Sequence, residues 1–185
     1  KLLISTYDAV STRAVNFPNE IKWSESLKRR KRAGQLESFD STRIRRAAYR
    51  PFNSQWLYQS DLYIDRQGLA ASLFPPGLDN TGICFSDIGS RTNFCVLGTD
   101  GIADLHFGAA VDAYQQVARY RYSKSGERID NITDWAFNKF VAHYGKKDIT
   151  KDAIFAYVYA VLHDPLYRET YVLNLKREFP RIPFY

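Results

Sequence analysis

The hydrophobic pattern of this chain changes near Asn131. Before that point, apolar residues come in short runs separated by Gly, Ser, Asn and Pro, which is typical of short strands and turns. After it, apolar residues recur at i, i+3, i+4 and i+7, the spacing of amphipathic helices. The sequence therefore predicts an α+β fold in which a basic helical entry and an irregular mixed β-sheet precede a C-terminal three-helix subdomain.

The predicted sheet region begins with a hairpin. Residues 47–52 and 55–58 are expected to pair across Asn53-Ser54. Further strands are predicted at 61–65, 81–85, 94–98 and 117–122. The loop between the strands at 81–85 and 94–98 is rich in Gly, Ser and Asp, residues that favour turns.

The three C-terminal helices have recognisable start and stop signals. The first is predicted from Thr133-Asp134 to Gly145, and the second begins at Thr150. Asp164-Pro165 combines an N-cap residue with proline at the first helical position, which predicts a third helix reaching about Phe179. Together these signals predict a helical subdomain over residues 131–185.

Basic residues are concentrated in the stretch 22–50, which contains ten of the 26 Lys and Arg residues and only three acidic residues. Its net charge is +7, against +6 for the whole chain, so the remaining residues are nearly neutral. A short basic helix is predicted here between Ser24, a good N-cap, and Gly34, a good stop. Such a concentration favours a polyanionic partner, because Lys and Arg on phosphates release condensed counterions. The alternative is a solvated charged face.

Composition limits the class of protein. The chain has 185 residues, of which 45% are hydrophobic and 15% aromatic, which suits one domain or slightly more with a real core and excludes general disorder. No apolar run approaches the roughly 18 residues of a membrane span, and no signal peptide is recognisable. Cys84 and Cys95 lie in apolar surroundings and are predicted to be reduced core residues of a cytosolic protein. Because the chain lacks methionine and begins with Lys1, we expect it to be a piece of a longer polypeptide.

Three motifs suggest catalysis, and each has a better structural interpretation. Asp164-Pro165-Leu166-Tyr167 resembles the Asp-Pro-Pro-Tyr loop of amino-methyltransferases, but its second proline is Leu and the preceding run has helical period. Glu20-Ile21-Lys22 has the Glu-x-Lys spacing of metal-dependent nucleases, without the hairpin context or a nearby partner acid other than Asp8. The histidines have neither a nucleophile nor a Cys/His cluster at motif spacing. The sequence therefore predicts no catalytic residue and no metal site in this chain.

A nucleic-acid interface accounts better for the basic stretch and its aromatic neighbours. The predicted phosphate ligands are Lys22, Lys28, Arg29, Arg30, Lys31, Arg32, Arg43, Arg45, Arg46 and Arg50. The predicted base-reading residues lie in the loop after the strand at 81–85: Ser86, Asp87, Ser90, Arg91, Thr92 and Asn93. Six aromatic residues can stack on bases or wedge between base steps, although most are expected to be buried: Trp23, Tyr49, Phe52, Trp56, Tyr58 and Tyr63. Phosphate contacts would set position, and the loop would specify sequence.

From about Ile21 to its end, the chain resembles a known family. The motifs that carry the likeness are Ile21-Lys22-Trp23-Ser24, Tyr49-Arg50-Pro51-Phe52, Trp56-Leu57-Tyr58, Asp104-Leu105-His106, His143-Tyr144-Gly145 and the stretches 131–136, 154–163 and 175–184. In these motifs the chain is similar to the C-terminal specificity domain of Type ISP restriction–modification enzymes. Such enzymes join a nuclease, an ATP-driven DNA translocase and an N6-adenine methyltransferase to a target-recognition domain in one polypeptide.

The resemblance implies that three segments of the chain have different roles. Residues 1–20 would end the preceding methyltransferase or form a connector, 21–130 would form the DNA-recognition sheet region, and 131–185 would form the helical subdomain. The implied partners are double-stranded DNA and the upstream methyltransferase domain, with no membrane. S-adenosylmethionine, ATP and Mg would act in the parent polypeptide, a cytoplasmic bacterial enzyme, with no cofactor in this segment. Two alternatives stay open: a helical docking module, or the terminal part of the methyltransferase catalytic unit.

Overall fold

The structure is a computed structural model that describes residues 23–64, 68–109, 111–145 and 148–185. In chain order, the elements are α1 (Glu25–Arg32), a 3-10 turn (Ser41–Arg43), β1 (Ile44–Arg50), β2 (Asn53–Tyr58), α2 (Ala70–Leu73), β3 (Gly82–Ser86), β4 (Val96–Thr99), β5 (Tyr114–Ala118), β6 (Tyr120–Tyr122), β7 (Arg128–Asp130), α3 (Asp134–Tyr144), α4 (Lys151–His163) and α5 (Pro165–Thr170). The predicted α+β class, with a basic helix at the entry and helices at the C-terminus, is confirmed.

The described residues fall into two compact units. The first comprises the described residues of the segments 23–44 and 58–68, and the second comprises those of 45–57 and 69–185. The first unit contains α1 and a buried pair of polar residues, Gln59 and Ser60. The second contains the three-stranded sheet and the C-terminal helices, and therefore the larger apolar core.

The long helices begin at the residues that the sequence predicts. The side chains of Ser24, Thr133 and Thr150 each accept a hydrogen bond from the backbone amide three residues later. Such a cap satisfies one of the amides that the first helical turn leaves without an intrahelical partner. The third predicted helix is shorter than expected: α5 ends at Thr170, and residues 171–177 continue as turns.

The core of the second unit lies on both faces of the antiparallel sheet β4-β3-β5. The central strand β3 is buried along its whole length. Because side chains alternate between faces, Ile83 and Phe85 pack with the residues of α4, α5 and the following turns, whereas Cys84 packs on the opposite face. The first cluster is completed by Val96, Val161, Leu162, Tyr167 and Leu175. Full burial of side chains of this size contributes about 1.5–3 kcal/mol each, which fixes the helices on the sheet.

Both cysteines are reduced, as predicted. Burial raises the pKa of the Cys84 thiol to about 12, with a smaller contribution from the neighbouring Cys95. A thiol with such a pKa stays protonated at neutral pH and is a poor nucleophile. Cys84 therefore acts as a core residue.

The first hairpin turns earlier than predicted. β1 and β2 form a two-stranded sheet around Pro51-Phe52, not around Asn53-Ser54. Proline has no amide to donate to a strand ladder and has a fixed φ suited to the first central position of a turn. The turn therefore forms at Pro51, and Asn53 becomes the first residue of β2.

Two other strand predictions need correction, and one strand was missed. Residues 61–63 form a turn held by the amides of Tyr63 and Ile64 on the carbonyl of Ser60, so the predicted strand at 61–65 is wrong over its described residues. The predicted strand at 117–122 is divided at Arg119 into β5, which pairs with β3, and β6, which pairs with β7. β7 was not predicted, because three residues are too few to show a period.

Arg119 lies at this division and is buried, with 8% of its side chain exposed. Its Nη1 donates to Asp130 and its Nε donates to Asp152, both at 2.6 Å. Burial would lower the pKa of this guanidinium, but the hydrogen bonds to the two carboxylates outweigh burial and raise it. The charged side chain thus connects the end of β5 with β7 and with the first turn of α4.

Candidate functional site

The basic helix α1 carries five of the predicted phosphate ligands. Arg29 and Arg32 are exposed, whereas Lys28 forms an ion pair with Glu25 at 2.9 Å. Arg30 donates to the carbonyl of Leu62 at 2.6 Å and is only partly exposed, as is Lys31. The helix therefore combines two exposed arginines with three cations that also have intramolecular roles or partial cover. Lys22, the first residue of the predicted set, lies outside the described residues.

Arg43 helps to hold the first unit together. Its guanidinium donates to Glu37 at 2.7 Å and lies 3.5 Å from Asp40. Glu37 also accepts hydrogen bonds from the hydroxyls of Tyr58, at 3.2 Å, and Ser60. One carboxylate thus connects the segment after α1 with the chain that returns after β2.

The remaining predicted phosphate ligands belong to the second unit. Arg45 donates to the carbonyl of Phe74 and is partly buried. Arg50 is paired with Asp104 at 2.7 Å. Arg46 is exposed and lies over the ring of Trp56, with its Cζ 5.3 Å from the ring centroid. Which of these cations contact DNA stays a prediction.

The predicted base-reading loop, 86–93, is held from inside the protein at both ends. Ser86 is buried, and its hydroxyl accepts the amide of Cys95 at 2.9 Å. Asp87 accepts the amide of Ile88 at 2.8 Å. In the middle, the amide of Gly89 donates to the carbonyl of Lys176 at 2.9 Å. Ser86 and Asp87 therefore shape the loop where it leaves β3.

Asp112 organises the outer half of this loop. Its Oδ2 accepts hydrogen bonds from the Ser90 hydroxyl and from the amides of Arg91 and Thr92, each at 3.1 Å. Its Oδ1 accepts Nε of Arg91, also at 3.1 Å. Only 5% of the Asp112 side chain is exposed. This carboxylate is the anchor around which three predicted base-reading residues converge.

The sequence prediction missed Asp112. It lies in the stretch 108–113, where every other residue is Gly, Ala or Val. A lone carboxylate in such a stretch is expected to be drawn under cover with its apolar neighbours, and a buried carboxylate needs partners. That signal could have identified Asp112, although nothing in the sequence points to its partners.

The loop still presents side chains outward. The side chain of Arg91 is 69% exposed, although its guanidinium is held by Asp112 and by a 2.7 Å hydrogen bond from Nη2 to the carbonyl of Val111. Thr92 and Asn93 are also exposed. A side chain held at its base and open at its end suits recognition, because little conformational entropy is lost when it binds.

The bonds at Asp112 predict a pH dependence of stability. Burial would raise the pKa of this carboxyl, but the hydrogen bonds from Arg91, Thr92 and Ser90 outweigh it and lower the pKa to about 2. Because the pKa is lower in the folded state than the ordinary value of about 3.9, the stabilisation is fully present above pH 4 and is lost as pH falls towards 2. Asp112→Asn should therefore be less stable than the wild type at pH 7, and the difference between their urea midpoints should shrink between pH 4 and pH 2. A difference independent of pH would contradict this assignment.

Of the six aromatic residues predicted as possible stacking groups, only Trp23 is fully buried. Tyr58 and Tyr63 are partly buried and pack edge to face, with ring centroids 5.7 Å apart. Tyr49, Phe52 and Trp56 are exposed on the β1–β2 hairpin. The expectation that most of these residues would be buried is wrong at this hairpin.

The Asp164-Pro165-Leu166-Tyr167 motif and the segment around His106 both make contacts within the fold. Asp164 caps α5 by accepting the amide of Leu166 at 2.9 Å, and the hydroxyl of the buried Tyr167 donates to the carbonyl of Arg181. Asp104 pairs with Arg50 and accepts the backbone amide of His106, while Nδ1 of His106 lies 3.2 Å from the carbonyl oxygen of Asp112. Glu20-Ile21-Lys22 lies outside the described residues.

The described part of the chain has neither a cluster of metal-ligating side chains nor a membrane-spanning helix. No group of three or more His, Cys, Asp or Glu side chains in this part of the chain is placed to hold a metal ion. None of its helices has the length and apolar character needed to cross a membrane.

Comparison with protein families identifies one match. The sequence model of the Type ISP C-terminal specificity domain matches residues 3–185. The match covers nearly the whole chain, including the basic stretch, the loop 86–93 and the C-terminal helices. A search of curated proteins gave no match.

Solved structures that contain a similar domain include those of DrdV, LlaGI and LlaBIII. The chain is 35% identical to part of DrdV in a cryo-electron microscopy structure of a DrdV–DNA complex, with a TM-score of 0.85. The match covers 100% of this chain and 18% of the DrdV chain. It is 31% identical to part of a nuclease-deletion mutant of the Type ISP restriction–modification enzyme LlaGI in complex with a DNA substrate mimic, with a TM-score of 0.70, covering 87% and 14% of the two chains. The ATP-dependent Type ISP enzyme LlaBIII, bound to DNA, shares the fold at 24% identity and a TM-score of 0.78, covering 98% and 12%. The chain thus spans less than a fifth of the length of each of these proteins.

Proposed function

The chain belongs to the family of Type ISP C-terminal specificity domains, and on this premise we propose that it recognises a specific target sequence in double-stranded DNA. The similar domains of DrdV and LlaGI occur in structures with DNA or a DNA mimic, which supports the proposal. The target would be read for catalytic domains elsewhere in a longer polypeptide, which would methylate and cleave the DNA.

The observation that carries this proposal is the loop 86–93. Its outer half is fixed by the buried carboxylate of Asp112, while the end of Arg91 and the side chain of Asn93 face solvent. Arginine can form two parallel hydrogen bonds with O6 and N7 of guanine, and asparagine can do the same with N6 and N7 of adenine. A pair of such side chains on a fixed loop is suited to reading base edges in the major groove.

Affinity would come from the basic side chains. We propose that Arg29 and Arg32 on α1 and Arg46 on β1 make the principal phosphate contacts, because their side chains are exposed. Lys28, Arg43 and Arg50 already pair with carboxylates, so each would exchange or share that partner on binding. Phosphate contacts of this kind position a protein on a duplex without reading its sequence.

We further propose that this segment carries no catalysis of its own. The methyltransferase, translocase and nuclease of the longer polypeptide would bind S-adenosylmethionine, ATP and Mg, and the protein would act in the cytoplasm of a bacterial cell. The upstream methyltransferase domain would be its partner within the chain. Calorimetry of this segment with S-adenosylmethionine tests the first point, since measurable binding would favour the alternative that it completes the catalytic unit.

Selection from a pool of randomised duplexes tests the proposal directly. The protein should enrich a defined sequence, and its affinity for the pool should fall steeply as salt concentration rises. An absence of duplex binding at low salt would contradict the proposed function.

Substitutions in the loop should change the selected sequence. Arg91→Lys keeps the charge but replaces the rigid, planar guanidinium fork with a flexible ammonium group, and Asn93→Ala removes an amide. Each is expected to relax preference at one base pair, by about 1–3 kcal/mol of discrimination, while affinity for unrelated duplexes changes little. Lys124→Ala, in the exposed turn between β6 and β7, serves as the matched control and should leave the consensus unchanged. An unaltered consensus in both loop variants would remove this loop from the interface.

One observation favours a second function, docking to another protein domain. The C-terminal helical region exposes several large apolar side chains, among them Trp135, Leu166 and Leu173. Exposed apolar patches often mark protein interfaces. Tight binding to the upstream methyltransferase domain, without duplex binding, would favour this function over DNA recognition.

A further inference from the structure

The tip of the β1–β2 hairpin carries a side chain that the fold itself does not favour. Phe52 has a relative exposure of 103%, so its ring is surrounded by solvent. Its backbone is in the left-handed region, with φ of 61°. Bulky residues rarely adopt this conformation, whereas Gly and Asn adopt it readily. A polar Asn at this position would suit both the backbone and the solvent better than Phe.

Backbone strain and full exposure at one residue indicate that this residue contacts another molecule. The surroundings of Phe52 indicate the class of partner. The hairpin, 45–57, contains Arg45, Arg46 and Arg50 and no acidic residue. Its other exposed rings lie against guanidinium groups: Arg50 lies 4.1 Å from the centroid of Tyr49, and Arg46 lies over Trp56. An apolar tip between arginines matches the stacked bases and flanking phosphates of a duplex.

The hairpin is also held firmly at its base by contacts with the segment 102–104. Ala48 bridges to Ala103, with its amide donating to the carbonyl of Ile102 at 2.8 Å and its carbonyl accepting the amide of Asp104 at 2.9 Å. The ion pair between Arg50 and Asp104 lies directly before the turn. Pro51 restricts the backbone beside Phe52. The tip is therefore fixed at its base, with the ring as its outermost group.

We propose that Phe52 is an intercalating wedge that enters a base step of the bound duplex and partly unstacks it, with Arg46 and Arg50 contacting the flanking phosphates. This inference rests on the proposed function and adds a part of the site that the loop 86–93 does not supply. Apolar wedges of this type are known among proteins that kink DNA, and the unstacking has a cost that depends on the base step. Phe52 would thus contribute to specificity through the deformability of the target.

The test uses two 30-bp duplexes of the same random sequence, one fully paired and one with a single central mismatch. A mismatch weakens stacking in advance, so the wild type should bind the mismatched duplex roughly tenfold more tightly. The Phe52→Asn variant should lose this preference, so that its affinity for the mismatched duplex falls to its affinity for the paired duplex. Phe52→Leu should keep the preference, because leucine is also an effective wedge. Trp135→Asn, which removes an exposed aromatic side chain from α3, is the control and should keep it too.

Stability provides an independent readout in the same variant. Phe52→Asn should raise the melting temperature by roughly 2–4 °C, because Asn relieves the left-handed backbone and leaves no ring in solvent. A gain in stability together with a loss of mismatch preference would support the wedge. A lower melting temperature would show that Phe52 serves the fold and would overturn the inference.

The binding outcomes separate this inference from the proposed function. If the wild type binds both duplexes equally, or if Phe52→Asn weakens both by the same factor, the wedge is excluded while DNA recognition stands. If the wild type binds neither duplex at low salt, both proposals fail.

Discussion

Reversing the charge of Arg29 and Arg32 on α1 is expected to reduce duplex binding roughly 60-fold at 0.1 M salt. Each phosphate contact contributes about 0.9 to the slope of log K against log salt, so two lost contacts flatten the slope by about 1.8 units. Both side chains are exposed in the structure. Arg30 is left unchanged because its guanidinium donates to the carbonyl of Leu62, and its loss would also disturb the first unit. Binding is measured by fluorescence anisotropy from 0.05 to 0.5 M salt.

The effect should be the same for every duplex sequence, because phosphate contacts carry no sequence information. The control is the reversal of Lys124 and Arg177, two exposed cations outside the basic stretch, which lowers the net charge by the same amount. If this control loses as much affinity as the α1 variant, binding depends on the overall charge and α1 is not the phosphate-binding element. A slope that does not change in the α1 variant would have the same meaning.

The sequence was sufficient to predict features that depend on local chemistry. Ser24, Thr133 and Thr150 start helices because a hydroxyl can accept an amide within the same turn, and that bond involves neighbours in the chain. The strand predicted at 81–85 is likewise found, as β3 at Gly82–Ser86. Short strands were harder to locate: β7 has three residues, and the turn at Pro51-Phe52 moved the first hairpin by two positions.

Partnerships across the chain could not be predicted. Glu37 and Asp104 neutralise Arg43 and Arg50, which the sequence shows only as members of a basic stretch. Asp112 reaches back about twenty residues to hold Ser90, Arg91 and Thr92. These contacts depend on which segments are neighbours in the fold. A linear sequence does not show which carboxylate lies beside which cation. The positive charge of the stretch 22–50 was therefore visible, but the subset of it that faces solvent was not.

Removing both carboxylates that face Arg119 should destabilise the protein by about 3 kcal/mol or more. Arg119 is 8% exposed, whereas Asp130 and Asp152 are 42% and 74% exposed. Asp130→Ala with Asp152→Ala would therefore leave a buried guanidinium without its two partners, and few water molecules could replace them. Lys151 would lose its 3.4 Å ion pair with Asp130 but keep the 2.7 Å pair with Asp134. Ion pairs of exposed carboxylates contribute little, so most of the loss should come from Arg119. Urea unfolding followed by circular dichroism measures the change.

The difference in burial between Arg119 and its two carboxylate partners also predicts that a third substitution restores stability. Adding Arg119→Leu to the double variant removes the stranded charge, and the triple variant should be more stable than the double variant, because buried ion pairs can often be replaced by apolar residues at little cost. Asp134→Ala is the control for loss of an exposed carboxylate and should shift the urea midpoint only slightly. If the triple variant is instead less stable than the double variant, Arg119 stabilises the joint between β5 and β6 by packing against Tyr120, whose ring centroid lies 4.2 Å from its Cζ. In that case the contact with Tyr120 would matter more than the two ion pairs.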